Sequence, residues 1–288
     1  MRSLRVVHRT SYEYRVPVAL GPHRLMLRPR ESRDMRLVSY ALDVSPDARV
    51  TWSQDVAGNA VATAGFAAPA ARLMIESHAR IELRAPDWPV FSISGHAASY
   101  PFLYSDDDWL DLGPLTQPVH EGAGGRLSAW VERFVRSRPT DTLSLLRDIA
   151  AGIPAQVAYR AREDEGTQTP ATTLDLGTGS CRDFAVLLAE AVRLLGFGAR
   201  LVSGYLFDAG GALTGSAGPG STHAWAEIFV PGAGWITFDP TNRSVGAANL
   251  VPVAVARGME QVAPVTGSFA GPPDALEGMR VSVDVALE

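Results

Sequence analysis

One cysteine, Cys181, stands where a turn containing two glycines runs into a helical pattern. Ser180 precedes it, and Asp183 follows Ser180 at the spacing of a capping box, which marks a helix N-terminus. Cys181 would then be the first helical residue, where free backbone N–H groups and the helix dipole lower a thiol pKa from about 8.5. A thiolate at this place could act as a nucleophile. A lone cysteine is also compatible with a small buried structural thiol, so its partners decide between the two interpretations.

A cysteine nucleophile needs a base to take its proton and a third group to hold that base in the right tautomer. Of the six histidines, His223 is the best placed, because it opens an alternating strand-like run just after a glycine-rich segment. Asp239 ends the next alternating run. The sequence therefore predicts Cys181 as nucleophile, His223 as base and Asp239 as the carboxylate that orients the base.

The two alternating runs, residues 223–230 and 235–239, predict a β-hairpin. For His223 and Asp239 to share a face, the numbers of paired residues must sum to an even value, because side chains alternate along each strand. The simplest four-residue loop would instead pair Val230 with position 235 and turn Asp239 to the opposite face. The predicted site therefore requires a bulge or another loop in this hairpin.

Length, net charge and residue counts exclude several classes of partner and of reactive site. The chain has 288 residues, which suits one large or two modest domains, and its net charge of −5 argues against nucleic acid as a partner. A single cysteine excludes an intramolecular disulfide and a cysteine-based zinc cluster, and the absence of lysine excludes a Schiff-base lysine. Neither a signal-type amino terminus nor an apolar run of membrane-spanning length occurs. We expect a cytoplasmic protein with no membrane partner, no cofactor and no metal site.

The elements that must position the site fall into three parts. Residues 1–85 show short β-type runs separated by turn residues, which predict a small antiparallel sandwich or barrel. Residues 86–118 are rich in Pro, Ser, Asp and Gly and predict a linker, in which Asp106 to Asp108 lack calcium-loop spacing and indicate an exposed loop or a helix start. Residues 119–288 would form the core that holds the site. Its predicted elements are helices at 127–135 and 143–149, an extended segment at 155–159, a loop at 163–177, an amphipathic helix from Cys181, a strand at 199–207, a mobile loop at 208–221, the hairpin, and strands at 251–256 and 281–287.

Four motifs resemble the bacterial transglutaminase-like superfamily: Cys-Arg-Asp-Phe-Ala at 181–185, Ser-Gly-Tyr-Leu at 203–206, His-Ala-Trp-Ala-Glu at 223–227 and Gly-Trp-Ile-Thr-Phe-Asp-Pro-Thr-Asn at 234–242. Segments 8–14, 28–30 and 55–59 resemble the β domain that accompanies this core in bacterial members. The resemblance implies an α+β fold, in which a papain-like transglutaminase core, with the cysteine helix packed on an antiparallel sheet, follows a small all-β domain. It also matches Cys181, His223 and Asp239 to the family's nucleophile, base and orienting carboxylate.

The chemistry that the resemblance implies is acyl transfer through a thioester on a peptide or protein substrate. We expect hydrolysis of peptide, isopeptide or carboxamide bonds, because prokaryotic members are cysteine-peptidase-like and no calcium-loop pattern accompanies the core. Transfer to an amine, as in a crosslinking transglutaminase, is one alternative, and a non-catalytic peptide-binding or assembly module is another. The backbone N–H of Cys181 is expected to supply one oxyanion donor, and the motifs do not identify a second.

Overall fold

Strands dominate both ends of the chain and helices its middle. The computed structural model describes residues 1–120, 124–162, 166–215 and 220–288. Its strands are β1 Arg2–Leu20, β2 His23–Leu25, β3 Met35–Ser45, β4 Ala48–Gln54, β5 Ala60–Phe66, β6 Ala70–Leu83, β7 Ser99–Tyr100, β8 Thr140–Asp141, β9 Ala158–Tyr159, β10 Thr178–Gly179, β11 Ala199–Phe207, β12 Gly220–Val230, β13 Gly234–Asp239, β14 Ser244–Val245, β15 Leu250–Ala256, β16 Val265–Thr266, β17 Phe269–Ala270 and β18 Leu276–Leu287. Its α-helices are α1 Asp106–Leu112, α2 Gly124–Glu132, α3 Thr142–Gln156, α4 Pro170–Leu176 and α5 Cys181–Leu194.

The amino-terminal region is an antiparallel sandwich, as its short alternating runs predict. One sheet has the order β17-β1-β6-β3, and the other has the order β16-β2-β5-β4. Every second residue in the second half of β6 is buried, which is the pattern of a strand with one face on a core. Leu25, Leu73 and Ile75 lie between the two sheets and are almost entirely buried.

The end of the chain returns to this sandwich. Strand β18 pairs antiparallel with β1 over most of its length, from Leu4 opposite Leu287 to Tyr14 opposite Leu276. Since β6 pairs with the other edge of β1, the first strand lies inside its sheet. The amino-terminal sheet thus includes residues from the far end of the range assigned to the core. The domain limits 1–85, 86–118 and 119–288 stay a prediction.

The core that carries Cys181 is a separate antiparallel sheet, ordered β14-β13-β12-β11-β15, with α5 packed on it. Phe184, Leu187 and Leu188 of α5 are completely buried against this sheet and the helices α2 to α4. A helix fixed on several sides gives its first residue a fixed position, which is what a nucleophile at that end requires.

The polar side of α5 is buried too. The sequence predicts an amphipathic helix whose polar residues, among them Glu190 and Arg193, lie away from the core. Glu190 and Arg193 form a buried ion pair with an N···O distance of 2.6 Å. Glu190 accepts hydrogen bonds from the backbone N–H groups of Val119 and His120, and Arg193 donates to the carbonyl of Leu115. The end of the segment predicted as a linker is therefore fastened to the cysteine helix.

Of two segments between the main elements, one differs from the sequence expectation and one agrees with it. The segment at 163–177 contains helix α4, so the prediction of a loop is wrong there, and the signals for this helix are the Thr169 cap and Pro170 at its first position. The acidic run of the linker opens helix α1, whose N-cap Ser105 accepts a hydrogen bond from Asp108 N–H, which confirms the helix-start interpretation. Parts of the predicted loops at 163–177 and 208–221, namely 163–165 and 216–219, lie outside the described residues. No helix among the described residues is long and apolar enough to cross a membrane.

The hairpin β12–β13 has the even register that the site requires. Val230 pairs with Gly234 across a three-residue turn, so the hairpin uses a different loop from the simplest four-residue one, as the predicted site requires. Gly234 adopts φ 71°, the left-handed conformation that follows a three-residue hairpin turn and is easiest for glycine. This one-residue change in register puts His223 and Asp239 on the same face of the sheet.

Candidate active site

Cys181 is the first residue of α5, and the predicted capping box is present. The carboxylate of Asp183 accepts hydrogen bonds from the backbone N–H and the hydroxyl of Ser180, at 2.8 and 2.9 Å. Asp183 is completely buried and also accepts from Gln168 N–H and pairs with the Arg162 guanidinium. One carboxylate thus fixes the start of the cysteine helix and the chain segment in front of α4.

His223 lies on β12, opposite Gly204 of β11, and is buried. Its Nε2 is 2.9 Å from Oδ2 of Asp239, and its ring stacks on Trp225 with centroids 6.1 Å apart. A Cβ at Gly204 would lie 2.1 Å from the carbonyl oxygen of Val251 and 2.7 Å from the Trp225 ring, so only glycine fits beneath this stack. Gly204 of the Ser-Gly-Tyr-Leu motif therefore has a packing role next to the histidine.

Asp239 is held by more than the histidine. Its Oδ1 accepts from Thr241 N–H at 3.0 Å, and its Oδ2 accepts from the Asn242 amide at 2.8 Å. Burial alone would raise the pKa of Asp239, but the charge of His223 and the hydrogen bonds from His223 and Asn242 keep it below the usual value of an aspartate. The carboxylate is therefore ionised and positioned to hold one tautomer of the imidazole.

Asn242 extends this network to the loop before β12. Its side-chain oxygen accepts a hydrogen bond of 2.9 Å from Thr214 N–H, while its NH2 donates to Asp239. Asn242 is the last residue of the fourth motif and lies three positions after Asp239, and that position is the signal that could have identified it in sequence.

Cys181 and His223 shift each other's pKa values. Burial by itself would raise the pKa of the Cys181 thiol, but the neighbouring His223 and the backbone of Ala224 outweigh burial and lower it. Burial would likewise lower the pKa of His223, but Asp239 and Cys181 raise it to about 10. These opposite shifts favour a thiolate next to an imidazolium. Nδ1 of His223 is buried and bonds to no other described residue, so it is the ring nitrogen available to the thiolate.

Tyr159 is a residue of this site that sequence reasoning missed. It lies on the short strand β9, which pairs in parallel with β10 directly before Cys181. Burial, and after it the charge of Cys181, raise the pKa of Tyr159 to about 12. Its proximity to the thiol depends on a pairing of two-residue strands, and no local pattern announces such a pairing. Among the described residues, no cluster of three or more His, Cys, Asp or Glu side chains could hold a metal ion.

Comparison with known proteins gives matches over most of the chain. Residues 4–82 match the family described as bacterial transglutaminase-like N-terminal region, and residues 128–240 match the transglutaminase-like superfamily. An uncharacterized protein of Mycobacterium tuberculosis is 30% identical over 280 residues, covering 91% of this chain and 86% of the relative. An uncharacterized protein of Mycobacterium leprae is 26% identical, covering 94% of each chain.

A solved structure supports the fold. It is described as a candidate cysteine protease from Cytophaga hutchinsonii, and it superposes with a TM-score of 0.74 at 19% identity, covering 99% of this chain and 90% of that chain. Together with the family matches, this similarity confirms the predicted fold class: an α+β, papain-like core with a cysteine helix on an antiparallel sheet, combined with an amino-terminal all-β region.

Proposed function

Since this chain belongs to the transglutaminase-like superfamily, we propose that it is a cysteine hydrolase that cleaves peptide, isopeptide or carboxamide bonds through Cys181, His223 and Asp239. One observation carries the proposal. His223 is bonded to a buried carboxylate through Nε2, while its Nδ1 has no other described partner and its pKa is coupled to that of a thiol at a helix N-terminus. This is the arrangement of a nucleophile, a base and a group that orients the base.

The proposed reaction starts with attack of the Cys181 thiolate on the carbonyl carbon of a peptide or protein substrate. The carbonyl π electrons move to oxygen and give a tetrahedral oxyanion. When that intermediate collapses, the C–N bond breaks and the imidazolium of His223 gives its proton to the leaving amine or ammonia. Water then attacks the carbonyl carbon of the thioester while His223 takes a proton from the water. The C–S bond breaks, the carboxylic acid is released, and Cys181 is again a thiolate.

Hydrolysis is the proposed fate of the thioester, supported by the similarity to a protein described as a candidate cysteine protease. Transfer of the acyl group to an amine is the alternative, and it would make the protein a crosslinking transglutaminase. Incubation with a glutamine peptide and a primary amine separates the two, with ammonia release and amine incorporation measured in one sample. Incorporation that is faster than release of the free acid would reject hydrolysis as the main reaction.

Substitutions test the roles of the three residues. Cys181→Ala should abolish turnover, and His223→Ala should do nearly the same, because the members of such a unit act together. Asp239→Asn should lower kcat by up to about 10⁴, the loss seen when the orienting carboxylate of a triad becomes an amide. The readout is cleavage in a peptide-library screen, with urea unfolding of each variant as the control for folding. Turnover that survives in Cys181→Ala would contradict the mechanism, and a wild type with an inert thiol would favour a non-catalytic peptide-binding or assembly module.

We propose a cytoplasmic location, because a chain with a single cysteine, and therefore no intramolecular disulfide, suits a reducing compartment. Fractionation of cells that express the chain, followed by an immunoblot, tests this location. Recovery with periplasmic or secreted proteins would contradict it.

A further inference from the structure

Tyr159 is fixed next to the turn that leads into Cys181. Strand β9 pairs in parallel with β10, with Tyr159 in register with Gly179. Two backbone hydrogen bonds of 2.8 Å hold this pairing, one from Ala158 N–H to the Gly177 carbonyl and one from Arg160 N–H to the Gly179 carbonyl. The backbone of Tyr159 therefore keeps a constant position relative to the nucleophile.

The ring of Tyr159 points its hydroxyl into the space that His223 faces. Its ring meets Phe184 edge-on, with centroids 6.2 Å apart and planes at 88°. The position that a Cβ would take at Gly215 lies 3.0 Å from the Tyr159 hydroxyl oxygen and 3.7 Å from Nδ1 of His223. The hydroxyl of Tyr159 and Nδ1 of His223 therefore border the same small volume. The charge of Cys181 also raises the pKa of Tyr159, as expected for a group near the thiol.

The hydroxyl of Tyr159 has its hydrogen available. It makes no hydrogen bond with any described side chain or backbone group, whereas the hydroxyl of Tyr104 is bonded to Phe229. Its raised pKa of about 12 keeps it protonated at neutral pH, so it can donate to a substrate atom. The backbone N–H of Cys181 is the first in α5 and has no acceptor within the helix.

We propose that Tyr159 is a catalytic residue that donates a hydrogen bond to the oxyanion of the tetrahedral intermediate, with the backbone N–H of Cys181 as the second donor. This inference rests on the proposed acyl-transfer function. During the step the thiolate adds to the carbonyl carbon and the π electrons become the oxyanion, while Tyr159 keeps its proton. Removal of one such donor lowers the rate of the chemical step by about 10² to 10³.

The test compares two reactions of the same thiolate in wild type and Tyr159→Phe. Acylation by p-nitrophenyl acetate passes through an oxyanion, and its rate is the burst of nitrophenol release. Alkylation by iodoacetamide is a displacement at a saturated carbon and forms no oxyanion. We expect the acylation rate of Tyr159→Phe to fall by about 10² to 10³, with little change in KM. The alkylation rate and its pH profile should stay as in wild type.

Tyr205→Phe is the matched control, because the hydroxyl of Tyr205, like that of Tyr159, makes no hydrogen bond with a described residue, and its ring packs against His8, away from Cys181. It should leave both rates unchanged. Equal acylation by Tyr159→Phe and wild type would refute the inference, and so would a parallel loss of acylation and alkylation, which would indicate a structural role. Cys181→Ala gives the background rate of nitrophenol release. A wild type that releases nitrophenol no faster than this variant would refute the proposed function itself, and this inference with it.

Discussion

At the scale of single residues, the site is built around a cysteine whose charge state depends on its neighbours. Burial opposes ionisation of Cys181, while His223 and the backbone of Ala224 together outweigh it and lower the pKa of the thiol. The histidine in turn owes its raised pKa to Asp239, so the carboxylate acts on the sulfur through the ring between them. Without the histidine, burial would be the main influence on Cys181, and burial by itself raises the pKa of a thiol.

This dependence predicts the pH profile of alkylation. Iodoacetamide should react with wild-type Cys181 at pH 7 and below, and the rate should fall only when acid protonates the thiolate. In His223→Ala the midpoint should move to the free-thiol value of about 8.5 or above, so the rate at pH 7 should drop by about 30-fold or more. Pseudo-first-order rates from pH 4 to 10, with glutathione as the reference thiol, give the measurement. A wild-type midpoint equal to that of glutathione would contradict the expected ion pair.

Local sequence was sufficient for some of these residues and not for others. The capping box at Ser180 and Asp183 depends on neighbours three positions apart, and it is present as predicted. The partners of Cys181 are distant in sequence, and their spacing was ambiguous because a hairpin register changes with one residue of loop length. Tyr159 could not be predicted, because a two-residue strand brings it to the site and leaves no pattern in the sequence.

At the scale of elements, β11 joins the two parts of the molecule. One neighbour in its sheet is β12, which carries His223, while Tyr205 packs against His8 of β1 with ring centroids 5.7 Å apart. His8 is buried, its Nε2 lies 2.9 Å from the Thr10 hydroxyl, and burial lowers its pKa to about 4. The neutral imidazole is thus part of the contact between the amino-terminal sheet and the core.

His8 should make this contact sensitive to acid. Its folded-state pKa of about 4 is below the value of 6.5 in an unfolded chain, so the unfolded state takes up the proton first as the pH falls. The contribution of neutral His8 to the free energy of unfolding is fully present above pH 6.5 and is lost as the pH falls towards 4. The difference between its two pKa values corresponds to about 3 kcal/mol.

Urea unfolding at several pH values between 7 and 4.5 tests this expectation. In His8→Gln the free energy of unfolding should depend less on pH than in wild type. The exposed His96 provides the matched control, because His96→Gln should keep the wild-type slope. Identical slopes in wild type and His8→Gln would show that His8 is not the group responsible.

The elements themselves were easier to predict than their environment. Helix α5, the hairpin and strands β11 and β15 follow from apolar periodicity, because each has a strong pattern over many residues. The polar face of α5 was interpreted as lying away from the core, yet Glu190 and Arg193 are buried. Periodicity shows where apolar residues lie, and it does not reveal that a distant backbone segment, here residues 115–120, covers the polar side.

At the scale of the whole molecule, β18 connects the first strand to the sheet that carries His223 and Asp239. It pairs with β1 along one edge, and Val285 on it packs against the beginning of β12. A Cβ at Gly220 would lie 2.4 Å from Cγ2 of Val285 and 2.9 Å from its backbone nitrogen. The two strands can therefore cross this closely only because position 220 is glycine.

Gly220→Ala should separate these strands and destabilise the protein. The added methyl group meets backbone as well as side-chain atoms, and overpacking of this kind costs about 1 to 3 kcal/mol. Gly278→Ala on β18 is the control, since its Cβ would meet nothing within 4 Å and surface changes are within about 0.5 kcal/mol. Urea unfolding of the two variants gives the comparison. Equal stability of both variants would contradict the close crossing of β12 and β18.

The pairing of β1 with β18 also sets the order of events during synthesis. Arg5 and Asp284, which form an ion pair between these strands, are 279 positions apart in the chain. At about 5 to 20 residues per second, a ribosome needs roughly 15 to 60 seconds to make the intervening segment. During that time the backbone groups on one edge of β1 have no partner strand and can pair with other chains or bind chaperones. Of the two paired strands, β1 is made first, and its sheet edge is completed only after residues 276–287 have emerged.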